Sequence, residues 1–313
     1  QEYTDLSRVG RKSKLGTNQR QDLWLIFEET KLLLKKRKLT TWSHIFRELN
    51  LAHDTFAQYD HVIVDEAQDI SSAELSFLAR HYGKKSNGLF FAGDIGQRIF
   101  RAPFSWSSLG VDIRGKSNIL KVNYRTSQQI RAQADLLLPK KIKDGDNQAE
   151  DRSGTISIFR GELPRIILND DEVSEAQIVS DWIEKQISEG IAPTEIGVFV
   201  RTEHQYKRAL NAIKKSGNTG VVLNYKLDGD DSSINYGTMH LAKGLEFRSV
   251  AVIACDQDAL PLHERMRLFT EEADIEEVER TERQLLYVAC TRARESLLVT
   301  GVGAGSKYLY DLA

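Results

Sequence analysis

Two adjacent carboxylates, Asp65 and Glu66, follow the short apolar run Val62-Ile63-Val64 in the octet V-I-V-D-E-A-Q-D (62–69). A β-branched run of that length reads as a buried strand, and open parallel sheets bind ligands at the C-terminal ends of such strands. Nucleotide hydrolysis needs this pair: one carboxylate holds Mg²⁺ through water, and the next orients or deprotonates the attacking water. The same pattern also opens ordinary loops and metal nucleases, so the octet alone does not choose between them. A second polar loop, G-D-I-G-Q-R-I-F (93–100), carries Gln97, which can touch a γ-phosphate and change its contacts on hydrolysis. Three more segments follow in order: N-Y-R (123–125), T-M-H-L-A-K-G-L-E-F (238–247) and E-R-Q-L-L-Y-V-A-C-T-R-A-R (282–294).

The elements that must hold these residues can be read from periodicity. Helical spacing covers 20–38, 42–50, 127–138, 172–189, 204–215 and 275–293. Strands are expected at 61–65, 89–92, 119–122, 155–159, 196–200, 220–223, 235–239, 249–254 and 296–300. A helix over 71–82 would be capped by Ser71 or Ser72, with Glu74 in its first turn. In helix 172–189, Ala176, Val179, Ile183 and Ile187 form one apolar face. Residues 140–153 are charged and turn-rich and read as a surface loop. Strands alternating with helices imply parallel sheets and right-handed crossovers.

Bulk composition narrows the classes. The 313 residues, 41% hydrophobic and 28% charged, suit a soluble globular chain with room for two cores. No apolar run approaches the roughly 20 residues of a membrane span, and no signal pattern opens the chain, so a cytoplasmic protein without a membrane partner is expected. Cys255 and Cys290 lie in apolar stretches and read as buried reduced thiols. A net charge of −2 leaves any nucleic-acid contact to a local groove. The run Lys35-Lys36-Arg37-Lys38 reads as a solvated helix end whose cations complement the dipole.

The ordered succession from V-I-V-D-E-A-Q-D to T-R-A-R resembles the UvrD/Rep-like superfamily 1 DNA helicases, from about Leu23 to Gly301. The resemblance implies an α/β fold of RecA-like P-loop NTPase lobes, with parallel sheets flanked by helices. ATP would lie between the lobes and single-stranded DNA, or a single/double-strand junction, across their top. Asp65 would ligate Mg²⁺ and Glu66 would be the catalytic base, with Gln97 sensing the γ-phosphate. Tyr124 would stack on adenine, Gly244 and Glu246 would contribute to nucleotide binding, with Glu246 at the ribose, and Arg125 and Arg292 would reach the γ-phosphate. Planar guanidinium forks suit phosphate oxygens, and such an arginine can be worth ~10³–10⁵ in rate. His240 would touch a DNA phosphate and Phe100 would stack on a base. The family's second stacking aromatic falls on Ala102, and Phe104 or Trp106 could substitute. Read without the resemblance, Arg292 is a helix cap and His240 a satisfied strand histidine, while Tyr287 and Cys290 are core.

One family part has no counterpart in the expected place. The phosphate loop G-x-x-x-x-G-K-[ST] should precede the acidic strand, yet the first 60 residues contain none. The literal match Gly110-Val-Asp-Ile-Arg-Gly115-Lys116-Ser117 comes after that strand, between segments that do not read as a strand and a following helix. The reading is therefore the C-terminal part of a helicase acting 3′ to 5′ on single-stranded DNA. Residues 1–116 would be a truncated first lobe with the tail of an inserted helical subdomain. Residues 117–313 would be a second lobe without a large accessory insertion. The missing N-terminal part of the first lobe would be a partner, and the isolated chain would be inactive without it. The alternatives are a non-catalytic DNA- or protein-binding half, or a permuted NTPase using Gly110–Ser117.

Overall fold

The computed structural model describes residues 16–52, 59–101, 104–143, 146, 149–152, 154–223, 232–269 and 271–312. Internal contacts divide the chain into a first unit, residues 1–118 with 143–150, and a second, residues 119–142 with 151–313.

In the first unit, helices α1 (Thr17–Lys36) and α2 (Trp42–Leu51) precede strand β1 (Val62–Val64), helix α3 (Ser72–Tyr82) and strand β2 (Leu89–Phe91). The start of α3 follows from its sequence. Ser71 Oγ accepts from the Glu74 N–H (3.2 Å) while Glu74 accepts from the Ser71 N–H (2.6 Å), so two orphan amides are satisfied reciprocally. β1 and β2 pair in parallel, Ile63 opposite Phe90. One sheet face packs Leu89 and Phe91 against Leu75 and Ala79 of α3.

The second unit is built on a six-stranded parallel sheet in the order β7-β12-β11-β8-β10-β9. In chain order come β3 (Val122–Asn123), α4 (Gln128–Asp135), then β4 (Lys141–Lys143) and β5 (Ala149–Asp151), whose residues are divided between the two units, then β6 (Ile156–Ser157) and β7 (Arg165–Asn169). They continue with α5 (Glu172–Ser188), β8 (Ile196–Val200), α6 (Tyr206–Lys215), β9 (Gly220–Val222) and β10 (Ile234–Thr238). The last are β11 (Phe247–Val252), α7 (His263–Met266), α8 (Glu272–Cys290), β12 (Ala293–Val302) and α9 (Lys307–Leu312). Every residue of β8 is buried. Ile196, Val198 and Val200 face the cluster formed with Val179 and Ile183 of α5, and Ala176 and Ile187 flank it as their spacing requires. Phe199 points to the opposite face, where its ring meets Phe247 edge-on at 5.6 Å. Cys255 and Cys290 are free and buried, and burial pushes the Cys290 thiol up to about 12.

Several elements differ from the sequence reading. The strand expected at 119–122 keeps only its last position, in β3, and Ile63, at the centre of the run expected to be buried, is exposed. Residues 140–153 are not all loop, because β4 and β5 pair with each other. The strand expected at 155–159 shortens to β6, which pairs with β3 in a separate two-stranded sheet. The edge of the main sheet is taken instead by β7, R-I-I-L-N, which has no clean alternation to announce it.

Candidate functional site

The first unit concentrates its polar groups where β1 and β2 end. Ala92 N–H bonds Val64 O (2.8 Å) and Ala67 N–H bonds Ala92 O (2.8 Å), so the two strand exits stay side by side. Asp65 and Glu66 are exposed there, and the Glu66 N–H donates to Asp65 Oδ1 at 2.8 Å. Glu66 has φ 50° and ψ 41°, the left-handed region that non-glycine residues enter rarely. A single 3₁₀ turn follows, Ala67–Asp69, and buries Gln68. In the neighbouring loop, Asp94 accepts from the Gly96 N–H (2.8 Å) and from the Gln97 side-chain amide (3.0 Å). Gln97, half-buried, therefore lies in the loop beside the acidic pair. A hydrated Mg²⁺ is held by one or two carboxylates together with phosphate oxygens, and the exposed Asp65 offers such a hard oxygen donor.

The second unit gathers its candidates at the edge where β11 and β12 begin. Asn123 Oδ1 accepts from the backbone N–H groups of Arg125 (2.7 Å) and Thr126 (3.1 Å), which turns the chain sharply after β3. Tyr124 is left 71% exposed, with a ring face open for stacking. Arg125 Nε pairs with Glu246 Oε1 at 2.5 Å, just ahead of β11. Gly244 at φ 80° makes the turn that delivers Glu246. Arg292, just ahead of β12, is buried; its Nε donates to Val288 O (3.1 Å) and its Nη1 to Leu245 O (3.4 Å). It closes the C-terminal end of α8 and also touches the segment carrying Glu246. The structure thus brings Arg125, Glu246 and Arg292 together.

His240 lies at the other edge, just past the C-terminal end of β10. A strand of six residues spans about 20 Å, so the two edges are that far apart. Residues 239–246 connect them. Burial holds His240 at about 4, helped by the Arg201 and Arg265 charges and opposed by Glu282, so its imidazole is neutral at physiological pH. The imidazole therefore brings no charge to this edge.

The UvrD/REP helicase N-terminal domain model matches residues 12–103, and the UvrD-like helicase C-terminal domain model matches residues 218–302. Together they span more than half of the chain. The chain belongs to the UvrD/Rep-like helicase family. A probable DNA helicase II homologue of Mycoplasma pneumoniae is 36% identical over 72 residues, which are 23% of this chain and 9% of that protein's length. Among solved structures, the C-terminal domain of a possible DNA helicase from a Lactobacillus strain is 21% identical, covering 61% of this chain and 94% of that one, with a TM-score of 0.43. The PRRSV helicase is 15% identical, covering 77% of this chain and 34% of that one, with a TM-score of 0.38. The parallel six-stranded sheet with packed helices is the RecA-like fold that the helicase motifs imply.

Within this UvrD/Rep-like chain the two aromatic candidates separate. Phe100 is 54% exposed. Trp106 packs edge-on against Phe91 (5.0 Å) and Phe104 (5.2 Å) and walls the first unit's core, whereas Phe100 is the more exposed of the two. Ala102 lies outside the described residues. The Gly110–Ser117 segment runs as turns with no helix after it. Its Lys116 ammonium bonds Asp112 O (3.2 Å), and the Arg114 hydrogen bond and charge hold exposed Asp112 at about 2. A phosphate loop needs a helix N-terminus, and this segment has none.

Sequence reasoning overlooked two groups. Gln68 sits inside the acidic octet but carries no charge to flag it. Arg201 and Glu282 form a buried bidentate pair, 2.6 Å at both contacts, across 81 residues of sequence. Neither spacing nor periodicity announces such a contact.

Proposed function

We propose that the protein carrying this chain is an ATP-dependent translocase or helicase that moves 3′ to 5′ on single-stranded DNA, with Mg²⁺-ATP as its substrate. The observation that carries the reading is the chemistry gathered where β1 and β2 end: an exposed acidic pair on a strained turn, tied to a neighbouring loop that presents a glutamine. In this reading Asp65 holds the metal through water, Glu66 takes the proton of the attacking water, and Gln97 reads the γ-phosphate. Bound Mg²⁺ would neutralise charge on the phosphates. In the same reading Tyr124 serves the base, Glu246 the ribose, and Arg125 and Arg292 the phosphate charge. Arg125 must leave Glu246 to do so, and Arg292 must leave its backbone carbonyls. On the DNA side, Phe100 stacks on a base and neutral His240 donates to a phosphate.

The partners are single-stranded DNA or a single/double-strand junction, and the polypeptide that supplies the phosphate loop. Without that loop this chain should turn over little ATP. No helix among the described residues is long and apolar enough to cross a membrane.

The test is Mg²⁺-ATP hydrolysis with and without single-stranded DNA, by the chain alone and by the protein that includes the phosphate loop. DNA-stimulated turnover in the larger protein, abolished by Glu66→Gln, is the expected result. Turnover by the chain alone that disappears with Lys116→Ala would overturn the reading in favour of Gly110–Ser117. DNA affinity should fall steeply with salt, as phosphate contacts require.

A further inference from the structure

Gln68 is placed between the two loops that the proposed chemistry uses. Its side chain is 7% exposed, and each end has a different partner. Its Nε2 donates to Glu66 Oε2, and its Oε1 accepts from the Asp94 N–H at 3.0 Å. Asp94 in turn accepts from the Gln97 side-chain amide at 3.0 Å. The result is one hydrogen-bonded chain, Glu66–Gln68–Asp94–Gln97, running from the acidic strand's exit to the next strand's loop. Gly93 leaves room for it: a Cβ there would stand 2.4 Å from Gln68 Oε1 and 3.0 Å from the Ala67 nitrogen.

We propose that Gln68 is a positioning residue that couples the Gln97 loop to the carboxylate of Glu66, so that a movement of one loop re-aims the other. This rests on the roles proposed for Glu66 and Gln97. The chemistry selects an amide. Only a group that donates at one end and accepts at the other can serve a carboxylate and a backbone N–H together. A glutamate keeps the acceptor for Asp94 but repels Glu66, and a methionine of similar size offers neither bond. Burial of Gln68 shields its end of both bonds from water, and such shielding strengthens the geometric constraint. Glu66 also starts from a left-handed backbone, so its carboxylate direction depends on the contact that Gln68 supplies.

The first readout needs no ATP hydrolysis. In isotope-labelled chain, Glu66→Gln should shift the Asp94 backbone amide and the Gln97 side-chain amide resonances. Those shifts should fall by at least about half in a Gln68→Met background, with the second unit's resonances unchanged. The double exchange Glu66→Gln with Gln68→Glu restores the donor–acceptor pairing in reverse and should move the Asp94 amide resonance back toward its native position from that of Gln68→Glu alone. Equal shifts with and without Gln68, or no shift at Asp94 in the native background, would overturn the proposal. In the ATP-hydrolysing protein, Gln68→Met should lower kcat by about 10- to 100-fold, as misplacing a catalytic group by about 1 Å does, with KM for ATP within about twofold. A change in KM alone would also overturn it. If the resonance coupling is present but the native protein hydrolyses no ATP, the functional reading fails and the relay stands.

Discussion

Removing the Glu282 carboxylate should strand a buried cation. The Glu282 side chain is fully buried and Arg201 is 6% exposed, with Nε and Nη2 each 2.6 Å from a carboxylate oxygen. Arg265 adds a contact at 3.2 Å, and the Leu262 N–H another at 3.3 Å. Burial alone would raise the Glu282 carboxyl; the Arg201 hydrogen bonds and charge outweigh it and hold the group below its ordinary range. In Glu282→Ala the guanidinium keeps its burial and loses its counter-charge. Breaking a buried pair from one side costs about 3–5 kcal/mol. For a unit of about 200 residues, that corresponds to a fall in Tm of about 6–20 °C. Guanidinium and thermal unfolding followed by far-UV circular dichroism would read it, since most of the regular structure lies in the second unit. The paired replacement Arg201→Met with Glu282→Leu removes both charges and should lose less than Glu282→Ala. A single-variant loss under about 1 kcal/mol, or a double variant as unstable as the sum of the singles, would refute the reasoning.

Three other outcomes are expected. His240 has a folded value of about 4 against an ordinary 6.5, so between those pH values the unfolded chain binds a proton that the folded chain does not. Its contribution is complete above pH 6.5 and shrinks as pH falls toward 4; it should account for about 2 kcal/mol of stability lost between pH 7 and pH 5, and that part should vanish in His240→Asn denaturation curves. Gly93→Ala drives a methyl into Gln68 Oε1 and should cost about 1–3 kcal/mol, with the Asp94 amide resonance moving first. Phe100→Ala should weaken single-stranded DNA binding by about 5- to 150-fold in fluorescence anisotropy, regardless of base sequence, whereas Trp106→Ala should chiefly destabilise the first unit.

Much of this protein is legible from local rules. The apolar face of α5, the reciprocal cap of Ser71 and Glu74, and the uniformly apolar β8 are set by neighbours a few residues away, so spacing alone reveals them. The acidic octet, the Gln97 loop and the N-Y-R segment are likewise visible as candidates, since their residue types and order carry the signal. Contacts between distant residues are not. β7 is a strand because it finds the edge of β12, and residues 156–157 are strand because they pair with β3. Trp106 belongs to a core because Phe91 and Phe104 close around it. Arg201 meets Glu282 only because the end of β8 comes against helix α8, and Gln68 meets Asp94 only because the parallel strands β1 and β2 bring their exits together. The sequence by itself determined which groups could do chemistry. The tertiary structure decided which of them touch, because hydrogen bonding and burial act through space, and one-dimensional spacing records only the near part of it.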